Sequence, residues 1–86
     1  MAGYEVFIKP SALKELDSIG SRKVRRTVVR HIQALAVDPR PPGCKKLAGD
    51  EKYRVRAADH RIIYTIEDDR LVVFVVKVGD RKDVYR

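Results

Sequence analysis

The segment Asp-Pro-Arg-Pro-Pro-Gly at residues 38–43 constrains the fold more than any other feature of the chain. Its three prolines and one glycine exclude a helix or a central strand there, because proline has no amide proton to donate and glycine favours turns. Before this segment apolar residues recur mainly at helical spacing, and after it they alternate with polar ones. We therefore expect a helical part followed by a strand-rich part.

The first part predicts one strand and a helical hairpin. Residues 4–8 alternate and are rich in β-forming side chains, which indicates a strand. Ser11 is the expected N-cap of a first helix that ends before Gly20, and Ser21 is the expected N-cap of a second helix that runs to about residue 37. The apolar stripe of the second helix consists of Val24, Val28, His31 with Ile32, and Leu35.

The second part predicts three strands, at residues 52–57, 60–67 and 70–78, after a polar loop at residues 44–51. Tight turns are expected at residues 58–59 and 68–69. The last strand is apolar on both faces, which is typical of a central strand. The sequence thus predicts one α+β domain, residues 1–86, in which the N-terminal helical hairpin packs on one face of a twisted antiparallel sheet.

The charge of the chain favours a polyanionic partner. Nineteen lysines and arginines against twelve aspartates and glutamates give a formal net charge of +7. RNA, DNA, an acidic membrane surface and an acidic protein all fit this charge. A chain of 86 residues leaves little room for a deep small-molecule pocket, which argues against a general small-molecule enzyme.

Cysteine content and hydropathy point to the cytoplasm. Cys44 is the one cysteine, so the chain can form neither an internal disulfide nor a cysteine-based zinc site by itself. We expect no signal peptide and no transmembrane segment, because no apolar run approaches the roughly 18 residues that a bilayer requires. No spacing of acidic residues indicates a metal site. A reducing cytoplasm is the expected compartment.

Two strands joined by a short turn place three arginines together. Arg54 and Arg56 lie two residues apart on one strand, so their side chains project to the same face. If the turn has two residues, Arg56 lies opposite Arg61. Opposed like charges destabilise a sheet unless an anion binds between them, and the planar guanidinium group matches phosphate oxygens. The spacing therefore predicts a phosphate-binding face, although a solvated basic face explains the same spacing.

Further candidates lie elsewhere in the chain. The C-terminal segment contains basic residues and a tyrosine whose phenol can share a proton or stack on a base. His60 is placed beside Arg61 and is a candidate acid or base, or a surface residue. The second helix carries a basic face that is either solvated or contacts RNA. The RNA-binding candidates are Arg22, Arg26, Arg30, His60 and Lys82.

The order strand, helix, helix and three strands, together with three motifs, resembles the RelE toxins of type II toxin–antitoxin systems. The motifs are Tyr53-Arg-Val-Arg, Arg61-Ile-Ile-Tyr64 and Val78-Gly-Asp-Arg-Lys-Asp-Val-Tyr85. The resemblance covers residues 4–86. It implies a cytoplasmic, ribosome-dependent mRNA endonuclease that cuts codons in the ribosomal A site and uses no metal or other cofactor. It also implies a RelB-type antitoxin that wraps the toxin in a hetero-oligomer.

The resemblance assigns roles to five catalytic candidates. Arg61 is expected to clamp the scissile phosphate, while Arg54 and Arg56 stabilise the charge of the phosphorane. Arg81 is expected to neutralise or protonate the leaving 5′-oxygen, and Tyr85 to orient the 2′-OH or stack on a base. The expected products are a 2′,3′-cyclic phosphate and a 5′-OH.

The identity of the general base stays open in the sequence. The best-known RelE toxins are similar to this chain but carry lysines at the positions of Arg54 and Arg56. A crowded lysine can lose its proton, whereas arginine effectively cannot. The base is then Tyr85, His60 or a group of the ribosome, or the cations only stabilise charge.

Two other functions fit the same sequence. The first is a ParE-type toxin that inhibits DNA gyrase, although ParE relatives generally lack the clustered arginines with a terminal tyrosine. The second is a non-enzymatic module that binds RNA or the ribosome with a steep salt dependence and leaves RNA intact.

Overall fold

Two helices pack against one face of a five-stranded sheet in the computed structural model of the chain, which describes residues 3–47, 49 and 51–80. The elements confirm the predicted α+β class and the predicted helical hairpin. Their bounds are β1 Glu5–Ile8, α1 Pro10–Asp17, α2 Arg22–Ala34, β2 Lys45–Lys46, β3 Lys52–Ala57, β4 His60–Glu67 and β5 Val72–Asp80.

The sheet is mixed, with the strand order β1-β5-β4-β3-β2. β1 lies parallel to β5, with Glu5 opposite Val72 and Ile8 opposite Val75, and the other neighbouring strands are antiparallel. The prediction of an antiparallel sheet is therefore wrong at this edge, because alternation shows which residues of a strand are buried and not the direction of its neighbour. β5 is an inner strand as predicted, but β4 is the middle one.

Both turns of the last three strands contain a residue with a left-handed backbone. The turn at Ala58-Asp59 has two residues, as predicted, and Ala58 has a φ of 56°. The next connection spans residues 68–71, and Leu71 has a φ of 53°. The two-residue turn predicted there is wrong, because alanine and leucine rarely adopt positive φ and no composition signal marks Leu71 as a turn residue.

Two strand boundaries also differ from the prediction. The segment expected to be a polar loop contains β2, in which Lys45 pairs with Arg54 and Lys46 pairs with Tyr53. β5 extends two residues beyond the predicted end, to Asp80, which pairs with His60 of β4. Two residues are too short a run to show alternation, so β2 leaves no periodic signal in the sequence.

The two helices begin in different ways. Ser21 caps α2, as predicted, and its Oγ accepts a hydrogen bond from the Val24 amide at 3.2 Å. Ser11 does not cap α1, since Lys9 is the N-cap residue and makes no side-chain capping bond. Pro10 is the first helical residue, where its fixed φ suits the helix and its missing amide proton costs nothing. The prediction of Ser11 as a cap is therefore wrong by two positions.

The core lies between the helices and the sheet. α2 ends at Ala34, earlier than predicted, and residues 35–37 form a turn. Val28, Ile32 and Leu35 are buried, as the predicted stripe requires. Neither helix in the described ranges is long and apolar enough to cross a membrane. The other buried residues of the core are Ala12, Leu16, Ile19, Val55, Ala57, Ile62, Tyr64, Val73, Val75 and Val78.

Tyr64 fastens the proline-rich segment to the sheet. Its side chain is fully buried in the core, and its hydroxyl donates a hydrogen bond to the carbonyl of Pro39 at 2.7 Å. Burial is the main reason that the pKa of Tyr64 lies well above its ordinary value, with Cys44 contributing next. The phenol therefore stays protonated and remains a donor. The ring also stacks on Tyr53, with the ring centres 5.9 Å apart.

Candidate nucleic-acid interface

The face of the sheet opposite the helices carries the arginines of β3 and β4. Arg56 pairs directly with Arg61, and Arg54 pairs with Ile63 two residues away. Because paired residues share a face, the register places Arg54, Arg56 and Arg61 on one surface, as the two-residue turn predicts. We call these three residues the basic face. Their roles in catalysis remain predictions.

The three arginines differ in their access to solvent. Arg56 is exposed and Arg54 is half-buried. Arg61 is only 4% exposed, and it is the one buried charged residue in the part of the chain that the structure describes. Burial of a cation strengthens its interaction with a nearby anion, because less water screens the charge. The basic face therefore combines one solvated, one half-buried and one desolvated guanidinium.

Two lysines lie in the same row of paired residues across the sheet as Arg54, and the sequence analysis did not identify them as site residues. Lys45 of β2 pairs with Arg54 on one side, and Lys77 of β5 pairs with Ile63 on the other. Lys45 has this position because it belongs to β2, a strand that the sequence analysis did not predict. Both lysines therefore add positive charge beside the arginines.

A bulge in β5 decides the position of Lys77. Ile63 pairs with Lys77 and Tyr64 pairs with Val75, so Val76 is an extra residue on β5. One extra residue reverses the alternation beyond it. Without the bulge Lys77 would lie opposite Ile62, on the face that packs against the helices.

Glu15 of α1 binds Lys77 at the edge of the sheet. The Lys77 ammonium donates to Glu15 Oε2 at 2.8 Å, and the amide of Val78 donates to Glu15 Oε1 at 3.0 Å. β1 pairs with β5 only as far as Val75, so Glu15 supplies the acceptor that β1 no longer offers to Val78. The contact anchors α1 to β5 and partly neutralises Lys77.

His60 lies on the other face from the basic face. It precedes Arg61 in β4 and pairs with Ala57, a buried core residue. Its Nδ1 is buried and has no hydrogen-bond partner within the described residues. The structure thus does not bring His60 together with Arg54, Arg56 and Arg61.

The basic residues of α2 are also separate from the basic face. Arg22, Arg26 and Arg30 follow one another at intervals of four residues and are exposed. α2 packs through Val28 and Ile32 on the side of the sheet opposite the basic face. An RNA that contacts both sets therefore has to pass around the edge of the molecule.

The remaining candidates, Arg81, Lys82 and Tyr85, lie outside the described residues. β5 ends at Asp80, and Gly79 pairs with Arg61. The last described residue of the sheet is therefore next to the row that holds Arg56 and Arg61. No three His, Cys, Asp or Glu side chains in the described ranges form a group that could hold a metal ion.

A second polar cluster, which sequence reasoning missed, surrounds Asp68 in the turn before β5. Arg40 donates to both carboxylate oxygens, at 3.1 and 2.9 Å, and the Tyr4 hydroxyl donates to Oδ1 at 2.7 Å. Arg40, followed by Tyr4, lowers the pKa of Asp68 to about 2. The Arg40 guanidinium also lies over the Tyr53 ring, 5.2 Å from its centre. Each of these four residues contacts at least one of the others, so the cluster stabilises the fold.

Comparison with known proteins gives consistent matches over nearly the whole chain. The family model described as ParE toxin of type II toxin-antitoxin system, parDE, matches residues 6–85. The mRNA interferase toxin RelE of Escherichia coli strain K12 is 32% identical over 78 residues, which cover 86% of this chain and 81% of that protein.

Solved structures agree with these matches. The archaeal RelE–RelB complex from Pyrococcus horikoshii has a TM-score of 0.81 at 28% identity, covering 94% of this chain and 97% of that one. The intact Escherichia coli RelBE toxin–antitoxin complex has a TM-score of 0.76 at 30% identity, covering 90% of this chain and 95% of that one.

Proposed function

Since this chain belongs to the RelE/ParE family of type II toxin–antitoxin toxins and is of the RelE type, we propose that it is an endoribonuclease that cleaves mRNA in the ribosomal A site. The observation that carries the proposal is the direct pairing of Arg56 with Arg61, with Arg54 on the same face. Guanidinium groups gathered on one face attract anions, and their planar forks match the oxygens of a phosphodiester. Its relative from Escherichia coli is named an mRNA interferase, which supports the same substrate.

The proposed reaction is transesterification within the RNA strand. The 2′-oxygen attacks the adjacent phosphorus and loses its proton to a base, the bond from phosphorus to the 5′-oxygen breaks, and the 5′-oxygen takes up a proton. The products are a 2′,3′-cyclic phosphate and a 5′-OH. Arg61 holds the scissile phosphate, and Arg54 and Arg56 stabilise the negative charge of the phosphorane.

Proton transfer requires other groups, because arginine keeps its proton. His60 lies on the opposite face of the sheet from Arg61, which argues against His60 as the base. We therefore assign acceptance of the 2′-OH proton to Tyr85 or to a group of the ribosome. Arg81 neutralises the charge on the leaving 5′-oxygen, which takes up its proton from water. The resemblance to RelE toxins supports both assignments.

A RelB-like antitoxin is the proposed partner. The archaeal and Escherichia coli structures that this fold matches are RelE–RelB complexes. A domain with a formal net charge of +7 is complemented by a segment that is partly acidic and partly apolar. We propose that such a segment binds the toxin in a hetero-oligomer and prevents its contact with RNA.

The test compares arginine variants in cleavage by translating ribosomes, with mRNA 5′-ends mapped. Arg56→Ala should lower the cleavage rate by about 10²–10³-fold, because one preorganised cation is lost. Because Arg56 is exposed and opposed to Arg61, the variant should be at least as stable to urea as the wild type. Arg61 is buried, so Arg61→Lys, which keeps the charge and loses the guanidinium fork, is the safer substitution there.

Arg70→Ala is the matched control. Arg70 is an exposed arginine in the turn at the far end of β4, where it pairs with Glu67 at 3.1 Å. It should leave cleavage unchanged. Full activity in both Arg56→Ala and Arg61→Lys would remove the basic face from the mechanism.

The family model described as ParE toxin supports gyrase inhibition as the second candidate. Expression in cells separates the two functions. Translation arrest with cleaved mRNA supports the RelE-type activity, and DNA damage with intact mRNA supports the ParE-type activity. Binding of ribosomes with intact mRNA and intact DNA would instead indicate a non-enzymatic module.

A further inference from the structure

Two phenylalanines are stacked on the same side of the sheet as the basic face. Phe7 of β1 pairs with Phe74 of β5, Phe74 pairs with Thr65 of β4, and Thr65 pairs with Lys52 of β3. This row shares the face of Arg61, because Thr65 and Arg61 are four residues apart in β4. The two rings are 5.6 Å apart at an angle of 26°.

The hydrophobic core does not explain this aromatic pair. The neighbours of Phe7 in β1, Val6 and Ile8, pack against the core on the helix side, whereas Phe7 is 47% exposed. A polar residue at an exposed position of an edge strand would avoid placing a large apolar surface in water. The exposed ring of Phe7, with Phe74 stacked against it, therefore offers an apolar surface that is open to a ligand.

The charges around the pair indicate which ligand fits. The arginines of the basic face lie on one side of the pair. On the other side lie Glu5 and Glu67, which both pair with Val72. A phosphate chain is attracted to the arginines and repelled by Glu5, whereas Glu67 is already paired with Arg70 at 3.1 Å. The positive charge that favours a polyanion therefore lies on the arginine side of the aromatic row.

Cationic residues beside exposed aromatic rings are typical of surfaces that bind single-stranded nucleic acid. The cations follow the phosphates, and the rings stack on unpaired bases of any sequence. The four residues from Arg61 to Thr65 correspond to roughly 13 Å along the strand, and Phe74 is about 5 Å further across the sheet. A base on these rings therefore belongs to a nucleotide at a distance from the phosphate held by Arg61.

We propose that Phe7 and Phe74 form a stacking platform for an unpaired base of the RNA whose phosphate is bound by the basic face. The proposal rests on the proposed function for the identity of the ligand as RNA. It adds a second contact between the protein and the RNA, and this contact sets how the RNA strand lies across the β-sheet. The same rings could otherwise contact an apolar segment of the antitoxin, and the test separates the two occupants.

The experiment measures binding of an oligoadenylate with 2′-O-methyl groups, which the proposed 2′-OH attack cannot cleave. Phe7→Leu and Phe74→Leu keep apolar side chains but remove the rings, and each should weaken binding roughly 5- to 100-fold. Phe7→Tyr keeps the ring and should bind as the wild type does. Leu13→Ala removes an exposed apolar side chain from α1 and is the matched control, expected to have no effect.

A second set of oligonucleotides locates the base. An abasic nucleotide is moved along the strand, one position at a time. The wild type should lose affinity at one position, and the Phe7→Leu and Phe74→Leu variants should show no further loss there. If these variants bind every oligonucleotide as tightly as the wild type, the platform proposal is wrong, and a loss of antitoxin binding in them would assign the rings to the antitoxin.

The ribosomal cleavage assay, run in parallel, keeps the two proposals apart. Cleavage by the wild type, with unchanged RNA binding in both leucine variants, overturns the platform alone. Ring-dependent RNA binding by a wild-type protein that never cleaves mRNA supports the platform and overturns the nuclease. A wild-type protein that neither binds nor cleaves RNA overturns both.

Discussion

Asp68 connects side chains that are far apart in the sequence. Tyr4 lies 64 residues away and Arg40 lies 28 residues away, and both donate hydrogen bonds to its carboxylate. The Arg40 pair is bidentate, which is the stronger geometry for an ion pair. This cluster joins the beginning of β1, the proline-rich segment and the turn before β5.

Asp68 should make stability depend on pH in the acid range. Its pKa falls from 3.8 to about 2 in the folded chain, mainly because of Arg40 and then Tyr4. A lowered pKa means that the ionised form stabilises the fold at pH values above about 4, and that this contribution is lost as the pH falls from about 4 to about 2. The free energy of unfolding, measured in urea, should therefore be higher for the wild type than for Asp68→Asn, and this difference should decrease as the pH falls through this range.

The partner variant provides the control for this prediction. Arg40→Gln removes the main cause of the lowered pKa, so its stability should also respond less to acid than that of the wild type. A stability difference between wild type and Asp68→Asn that stays constant from neutral pH to pH 2 would contradict the assignment.

At the level of elements, the two helices begin with different chemistry although each has a serine near its start. The Ser21 side chain accepts a bond from the Val24 amide, whereas Ser11 lies inside the first turn of α1. Pro10 already removes one amide that would need a partner at that helix start. Only the serine of α2 satisfies an amide of the first turn.

Ser21→Ala and Ser11→Ala therefore form a matched pair. Ser21→Ala should lower the free energy of unfolding by about 1 kcal/mol, because one amide of the first turn loses its acceptor. Ser11→Ala should change it by less than about 0.5 kcal/mol, as for other exposed positions. Equal effects of the two substitutions, measured by urea unfolding, would contradict the observed caps.

At the scale of the whole molecule, the proline-rich segment connects the helical layer to the sheet and is held by tyrosines. Tyr64 donates to Pro39 within the core, and Tyr53 stacks on Tyr64 while its hydroxyl accepts from Arg40 Nε at 3.4 Å. One hydroxyl is thus buried and the other is near the surface. Removing each hydroxyl in turn tests how much the buried hydrogen bond to Pro39 contributes to the stability of the fold.

Tyr64→Phe should lower the free energy of unfolding by about 1–3 kcal/mol, because the buried carbonyl of Pro39 is left without its donor. Tyr53→Phe should change it by less than about 0.5 kcal/mol, since its long, exposed hydrogen bond contributes little. Thermal and urea unfolding of both variants measure the difference. A larger loss in Tyr53→Phe than in Tyr64→Phe would contradict this view of the connection.

Several features of the molecule follow from the sequence without a structure. The register of Arg56 opposite Arg61 follows from strand alternation and a two-residue turn, both of which are local properties of the backbone. The cap at Ser21 and the buried stripe of α2 likewise depend on residues within a few positions of one another. Sequence alone therefore determined the α+β class, the helical hairpin and the arginine cluster of the candidate site.

The tertiary structure decided what depends on contacts between distant segments. The parallel pairing of β1 with β5 brings Phe7 beside Phe74, and the bulge at Val76 turns Lys77 to the basic face. The cluster of Tyr4, Arg40 and Asp68 joins three separate segments. Local periodicity contains no information on which strand becomes a neighbour, because that choice follows from packing of the whole chain around one core.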